Sequence, residues 1–236
     1  MKFNIEIYSD GAVISDMIAM KEAGLISGFT TNPSLMKQAG VTDYMSFVQE
    51  ALGKIEGMPI SFEVFGDDFA TMEKEALKLA ALGNNVFVKI PIMNTRGESS
   101  IPLIKKLSDL GLKLNITALM TEKQVQDTVD ALTTGVESIV SVFAGRIADT
   151  GVHPEPFVKK SVEICHRKEG VKLLWASTRE VLNIVQAQDL GVDIITVPPA
   201  LLNKLSMYHK DLNTLSLETV QTFNKDIKAL GFTILD

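Results

Sequence analysis

Val86-Phe87-Val88-Lys89-Ile90-Pro91 is a short run of β-branched and aromatic residues closed by a proline, with one lysine inside it. It reads as a parallel strand buried on both faces. Similar bursts recur at 3–8, 29–31, 60–65, 113–116, 138–143, 172–176 and 194–197, which makes eight expected strands. The intervening segments follow a helical period. Met72, Ala76, Leu79 and Ala80, and likewise Val125, Val129 and Leu132, are spaced to share one helix face. Gly24, Gly83, Gly111, Gly135, Gly170 and Gly191 stand where these helices should stop. Eight strand–helix units in 236 residues match the size of a closed (β/α)8 barrel, an α/β fold. A doubly wound open sheet is the other arrangement with this alternation. Its phosphate loop is missing, however: Ser9-Asp10-Gly11-Ala12 follows the first strand in place of Gly-x-Gly-x-x-Gly, and the chain has no Gly-Lys-Ser.

The chain, 1–236, is expected to form a single domain, since nothing in it reads as a linker. Beyond the eighth strand, Pro198-Pro199 breaks the chain, 200–205 reads as a helix, and 217–230 as an additional amphipathic C-terminal helix. The apolar positions of that last helix need cover, either from its own barrel or from a neighbouring subunit in a homo-oligomer. A composition of 46% hydrophobic and 22% charged residues belongs to a globular protein. The net charge of −6 and the lack of any Lys/Arg cluster argue against a nucleic-acid partner. No apolar run reaches the ~20 residues that cross a bilayer, so no membrane partner is expected. Cys165 is the only cysteine and cannot close an intrachain disulfide, which makes a reducing cytoplasm the expected location.

In a barrel, the carboxyl ends of all strands converge on one mouth, so polar residues there are candidates for function. They are Asp10, Thr31 with Asn32, Glu63, Lys89, Asn115 with Thr117, Ser141 and Ser177, with Arg146 and Arg179 just past their strands. An ammonium within a buried strand is desolvated, which favours the neutral, nucleophilic amine. Carbonyl chemistry on that amine also needs carboxylates that move protons, and Asp10 and Glu63 are available. The alternative is a Lys89 that snorkels to water. Two guanidinium groups and a hydroxyl suit a phosphate dianion, although Asp149 or Glu180 could pair with either arginine instead. His153, His166 and His209 fall away from the strand ends, and neither a metal nor any other cofactor is expected. Cys165 and Trp175 read as core.

Taken together, Asp10, Thr30-Thr31-Asn32-Pro33-Ser34, Val88-Lys89-Ile90-Pro91, Asn115-Ile116-Thr117, Phe143-Ala144-Gly145-Arg146 and Ala176-Ser177-Thr178-Arg179 resemble, in order and spacing, the transaldolases, Schiff-base enzymes of the (β/α)8 type. The resemblance implies that Lys89 is the Schiff-base lysine, Asp10 the acid/base at carbon–carbon cleavage, and Glu63 with Thr117 the relay for a catalytic water. It further implies that Asn32, Asn115 and Ser141 hold the dihydroxyacetone part of the substrate, that Arg146, Ser177 and Arg179 bind its phosphate, and that Thr31 and Phe143 belong to the substrate-binding residues as well. The family also contains aldolases that release free dihydroxyacetone from fructose 6-phosphate. Those carry glutamine where this chain has Glu63, and tyrosine where it has Phe143, so the resemblance favours transfer over cleavage. It implies sugar-phosphate substrates, a place in the pentose phosphate pathway, and a homo-oligomer, with pentamers or decamers among the short-chain members. A non-catalytic sugar-phosphate-binding barrel is the remaining reading. The step Asp10-Gly11-Ala12 differs from the aspartate-threonine or aspartate-serine usual in the family.

Overall fold

The computed structural model describes residues 3–232 and 234–235. Eight parallel strands close into a barrel in sequence order: β1 (Glu6–Asp10), β2 (Gly28–Thr30), β3 (Ile60–Glu63), β4 (Val86–Pro91), β5 (Leu114–Leu119), β6 (Ser138–Val142), β7 (Val171–Trp175) and β8 (Ile194–Val197). The (β/α)8 fold expected from the alternation is therefore present. β4 and β8 have the expected bounds. β1 and β5 run further toward the carboxyl end than apolarity alone suggests, because Asp10 pairs with Thr30 and Thr117 with Pro91 as strand residues. Polar side chains at these ends do not interrupt the backbone ladder.

The first connections are α1 (Ile14–Glu22), α2 (Pro33–Gln38), α3 (Tyr44–Ile55), α4 (Phe69–Ala80) and α5 (Ile101–Asp109). They are followed by α6 (Glu122–Ala131), α7 (Ala144–Ala148), α8 (Glu155–Cys165) and α9 (Leu182–Asp189). Met72, Ala76 and Leu79 of α4, and Val125 and Val129 of α6, are buried as their spacing predicts. Thr121 and Gln124 form a reciprocal capping box that starts α6. Cys165 and Trp175 are buried, and burial pushes the Cys165 thiol pKa up. Gly111 ends its helix at φ 81°, but Gly83 does not adopt the left-handed region; a Cβ there would meet the Asn85 side chain at 2.7 Å.

The chain falls into two compact units, the first ending at Leu202 and the second starting at Asn203. The helix expected over 200–205 is split into α10 (Pro199–Leu202) and a 3-10 segment, Asn203–Met207. In the second unit α11 runs Leu212–Leu230, five residues longer at its start than the apolar pattern suggests (217 − 212 = 5). Asp211 caps it by accepting the Thr214 N–H at 2.8 Å. No residue of α11 is buried, and Leu217, Val220, Phe223, Ile227 and Leu230 form an exposed apolar stripe at helical spacing. Among the described residues no helix is long and apolar enough to cross a membrane.

Candidate active site

Parallel pairing fixes which side chains become neighbours at the carboxyl-terminal mouth. Glu63 pairs with Lys89, and Lys89 with Asn115, so three adjacent strands present an acid, an amine and an amide at one level. Lys89 is 6% exposed. Its Nζ donates to the Thr31 carbonyl at 2.8 Å and lies 3.3 Å from Glu63 Oε2. The amine thus neither snorkels to water nor stands alone, because a carboxylate is within reach of its proton. Tyr44 Oη donates to the Glu63 carbonyl at 2.8 Å and ties down the end of that strand.

A cavity of about 380 Å³ opens above Lys89. Ten of the twelve residues singled out in the sequence line it: Asp10, Asn32, Lys89, Asn115, Thr117, Ser141, Phe143, Arg146, Ser177 and Arg179. Burial raises the Asp10 carboxyl above the ordinary aspartate range; the Lys89 charge and a 2.7 Å hydrogen bond from Thr30 Oγ1 oppose that rise, and the Glu63 charge adds to it. Ser141 Oγ donates to Asn115 Oδ1 at 2.7 Å, and Asn115 Nδ2 donates to Ser61 Oγ at 2.9 Å. This chain fixes which end of the amide faces which neighbour. Asn32 caps α2, accepting the Leu35 N–H at 3.0 Å. Thr117 is 3% exposed and its hydroxyl has no hydrogen-bond partner among the described residues. An orphaned buried hydroxyl on a cavity wall is free to serve water or a ligand. Asn115 and Thr117, two residues apart on β5, both face the cavity by strand alternation, and just beyond them Ala118 takes φ 65° where the β5–β6 register shifts.

The two residues outside that lining are Thr31 and Glu63. Thr31 turns its hydroxyl to the Ser61 carbonyl at 2.9 Å and meets Lys89 through its own backbone carbonyl. Glu63 reaches the site through its contact with Lys89. Sequence reading passed over Thr30, Thr178 and Thr196, which also line the cavity. Strand periodicity carries the signal for Thr30: side chains alternate, so if Asn32 faces inward, Thr30 does too and Thr31 does not. Thr196 is the single polar residue in Ile194-Ile195-Thr196-Val197, the one strand from which no candidate was taken.

The loops after β6 and β7 meet through backbone. A Cβ on Gly145 would lie 1.7 Å from the Ser177 carbonyl oxygen, so only glycine fits. Ser177 itself adopts φ 65°. This contact brings Arg146 and Arg179 to one side of the cavity. Arg179 is engaged with Asp149, with Nη2 2.5 Å from Oδ2 and Nε 3.3 Å from Oδ1, which is the acidic pairing that the sequence left open. Arg146 has no ion pair within 4.0 Å among the described residues, and its charge with that of Arg179 holds the Asp149 carboxyl below the usual range, the Arg179 hydrogen bond being the main cause. His166 pairs with Asp193, and none of the three histidines lines the cavity.

Known proteins resemble this chain at two levels. Solved structures share the fold at low identity, among them dihydrodipicolinate synthase from Rhodopseudomonas palustris, with a TM-score of 0.57 and 12% identity over 86% of this chain and 74% of that one. Sequence relatives are nearer. A protein of Erythrobacter litoralis named "Probable transaldolase" is 32% identical over 98% of this chain and all (100%) of its own length. Another of the same name from Carboxydothermus hydrogenoformans is 34% identical over 85% of this chain and 90% of its own. Residues 7–234 match the model of a family described as Transaldolase/Fructose-6-phosphate aldolase, a span that takes in all eight strands except Glu6 and includes the polar mouth. With lysine, carboxylates and arginines gathered in one cavity of that barrel, the chain belongs to the transaldolase/fructose-6-phosphate aldolase family.

Proposed function

We propose that this chain is a transaldolase that moves a dihydroxyacetone unit from sedoheptulose 7-phosphate to glyceraldehyde 3-phosphate, giving erythrose 4-phosphate and fructose 6-phosphate. The observation that carries this reading is the enclosed Lys89 amine with Glu63 Oε2 at 3.3 Å, beside Asp10 in a cavity flanked by two arginines. Glu63 takes a proton from the ammonium, and the free amine attacks C2 of the donor ketone. Loss of water from the carbinolamine leaves an iminium; Glu63 and the unpartnered Thr117 hydroxyl handle that water. Asp10 removes the C4 hydroxyl proton, the C3–C4 bond breaks, and its electron pair moves to the iminium nitrogen as the enamine forms. The aldehyde product departs. The enamine then attacks the acceptor carbonyl, the new alkoxide takes its proton back from Asp10, and water releases the product from Lys89.

In this reading Asn32, Asn115 and Ser141 hold the three-carbon unit, Phe143 walls it, and Thr31 acts through the carbonyl that steadies Lys89. Arg146, Ser177 and Arg179 take the phosphate, with Asp149 giving way or remaining as the far-side partner of Arg179. No resident cofactor enters any step. The reading also carries a pentose-phosphate role in the cytoplasm and a homo-oligomer. The exposed stripe on α11 supports self-association, which light scattering of the full chain, compared with a Phe223→Glu, Ile227→Glu variant, would test.

The deciding experiment is borohydride reduction in the presence of fructose 6-phosphate, with peptide mass analysis. A reduced three-carbon or hexose adduct on Lys89, together with product formation that requires an acceptor aldehyde, is the expected result. An unmodified Lys89 would leave a binding barrel. Free dihydroxyacetone released without an acceptor would mark an aldolase. Phe143→Tyr should raise that release relative to transfer, and an unchanged ratio counts against the transferase reading.

A further inference from the structure

Thr30 and Thr196 sit on β2 and β8, the two strands that flank β1 and its terminal Asp10. Both are nearly inaccessible, at 3% and 4% exposure. Thr30 Oγ1 donates to Asp10 Oδ1 at 2.7 Å, and Thr30 Oγ1 and Thr196 Oγ1 are 2.5 Å apart. A hydroxyl carries one proton and an ionised carboxylate carries none. While Asp10 is ionised, the Thr30 proton is committed to it, so the contact between the two threonines runs one way, from Thr196 to Thr30. Thr178 Oγ1 donates to the Thr196 carbonyl at 2.7 Å and anchors that end of β8.

We propose that Thr196 is a positioning residue that acts through Thr30, holding Asp10 by Oδ1 so that Oδ2 faces the substrate hydroxyl whose proton it removes. This rests on the reading of Asp10 as the base of carbon–carbon cleavage. No hydrogen bond reaches Oδ2 among the described residues, so that oxygen is the one left for the substrate. Each link in a hydroxyl chain polarises the next, and donation to a carboxylate favours its ionised form. Asp10 needs that help, because burial and the Glu63 charge on β3 favour its protonated form, with only Lys89 on β4 and Thr30 opposing them.

The test uses Thr196→Val, Thr196→Ala and Thr196→Ser in the full chain, with wild type alongside. Val keeps the side-chain shape, Ala leaves space if Val crowds Thr30, and Ser restores the hydroxyl alone. In both variants lacking the hydroxyl, borohydride with fructose 6-phosphate should still trap Lys89 and KM should stay within about twofold, while kcat falls roughly five- to tenfold. The acidic limb of the kcat profile should move to higher pH, and Ser should restore both kcat and limb. Unchanged kcat and limb with trapping intact would overturn the proposal, as would a serine variant as impaired as alanine, since that marks a packing role. If wild type itself yields no Lys89 adduct, the Schiff-base reading fails first and takes this inference with it.

Discussion

At the amino-terminal mouth of the barrel Lys113 pairs with Glu137 and Lys172 with Glu6, around a cavity of about 600 Å³ lined by Tyr8, Phe87 and Ile139. At the opposite mouth a smaller cavity, about 380 Å³, is lined by Lys89, Asp10, Arg146 and Arg179, with Glu63 behind the amine and Asp149 behind the guanidinium groups. In the first, every acid has its own base, and the Lys113 ammonium also lies 5.6 Å from the Phe87 ring centroid. In the second, neither cluster pairs one to one, and burial pushes the Asp10 carboxyl out of its normal range. Volume alone would select the amino-terminal end. Enclosed charge without one-to-one pairing, as at Lys89, Glu63 and Asp10, selects the other, because a fold tolerates that cost where a ligand or a proton transfer completes the balance.

The contrast can be tested by treating the two mouths alike. Lys89→Met should cut transfer by at least about 10³-fold and abolish borohydride trapping, as loss of a nucleophile does. Lys113→Met at the other mouth should leave turnover within about twofold; comparable losses in the two variants would erase the distinction. A smaller effect is expected at the arginine pair. Arg146→Ala should raise KM for a phosphorylated donor about ten- to a hundredfold, the scale of one lost charge-assisted contact. Added inorganic phosphate should inhibit the wild type more than this variant, as read by steady-state kinetics.

Stability gives the third comparison. The Asp10 pKa is raised in the folded state, so the folded chain binds this proton more tightly than the unfolded one. Stability is accordingly lost as pH climbs from the unfolded value of about 3.9 through the folded one. Asp10→Asn should therefore unfold at a higher temperature than wild type at pH 7, by about 2–4 °C for each kcal/mol recovered, with the gain shrinking as pH falls toward 4. An equal or lower Tm at pH 7 would show that Lys89 and Thr30 already offset the burial. Least affected is Glu137→Gln. Its pair with Lys113 is partly solvated, with the two side chains 63% and 35% exposed, and should contribute no more than about 1 kcal/mol by chemical denaturation.

Most of the barrel was legible because each strand is a compact apolar burst and each helix a three-to-four-residue pattern. The Val86–Pro91 strand announces both fold and chemistry, since a lysine inside a doubly buried strand conflicts with everything around it. What escaped is instructive. Polarity at the strand end selects Thr31 and leaves out Thr30, whereas side-chain alternation separates these neighbours and puts Thr30 on the cavity side with Asn32. Thr196 was hidden because threonine is an ordinary strand former and draws no notice in an apolar run. The Asp149–Arg179 pair was among the alternatives open in the sequence, but the choice between acids is made by the contact between two loops, which brings residues 30 positions apart together. No pattern within one segment encodes that proximity.

The missing side chain at Gly145 makes the turn after β6 and the turn after β7 a single mechanical body. Neither can be lengthened, shifted or regrafted alone without a collision or a gap between them. Efforts to adapt this barrel to longer or uncharged sugars would therefore have to exchange both turns as a matched set, and the spacing of the two guanidinium groups would change with the pair.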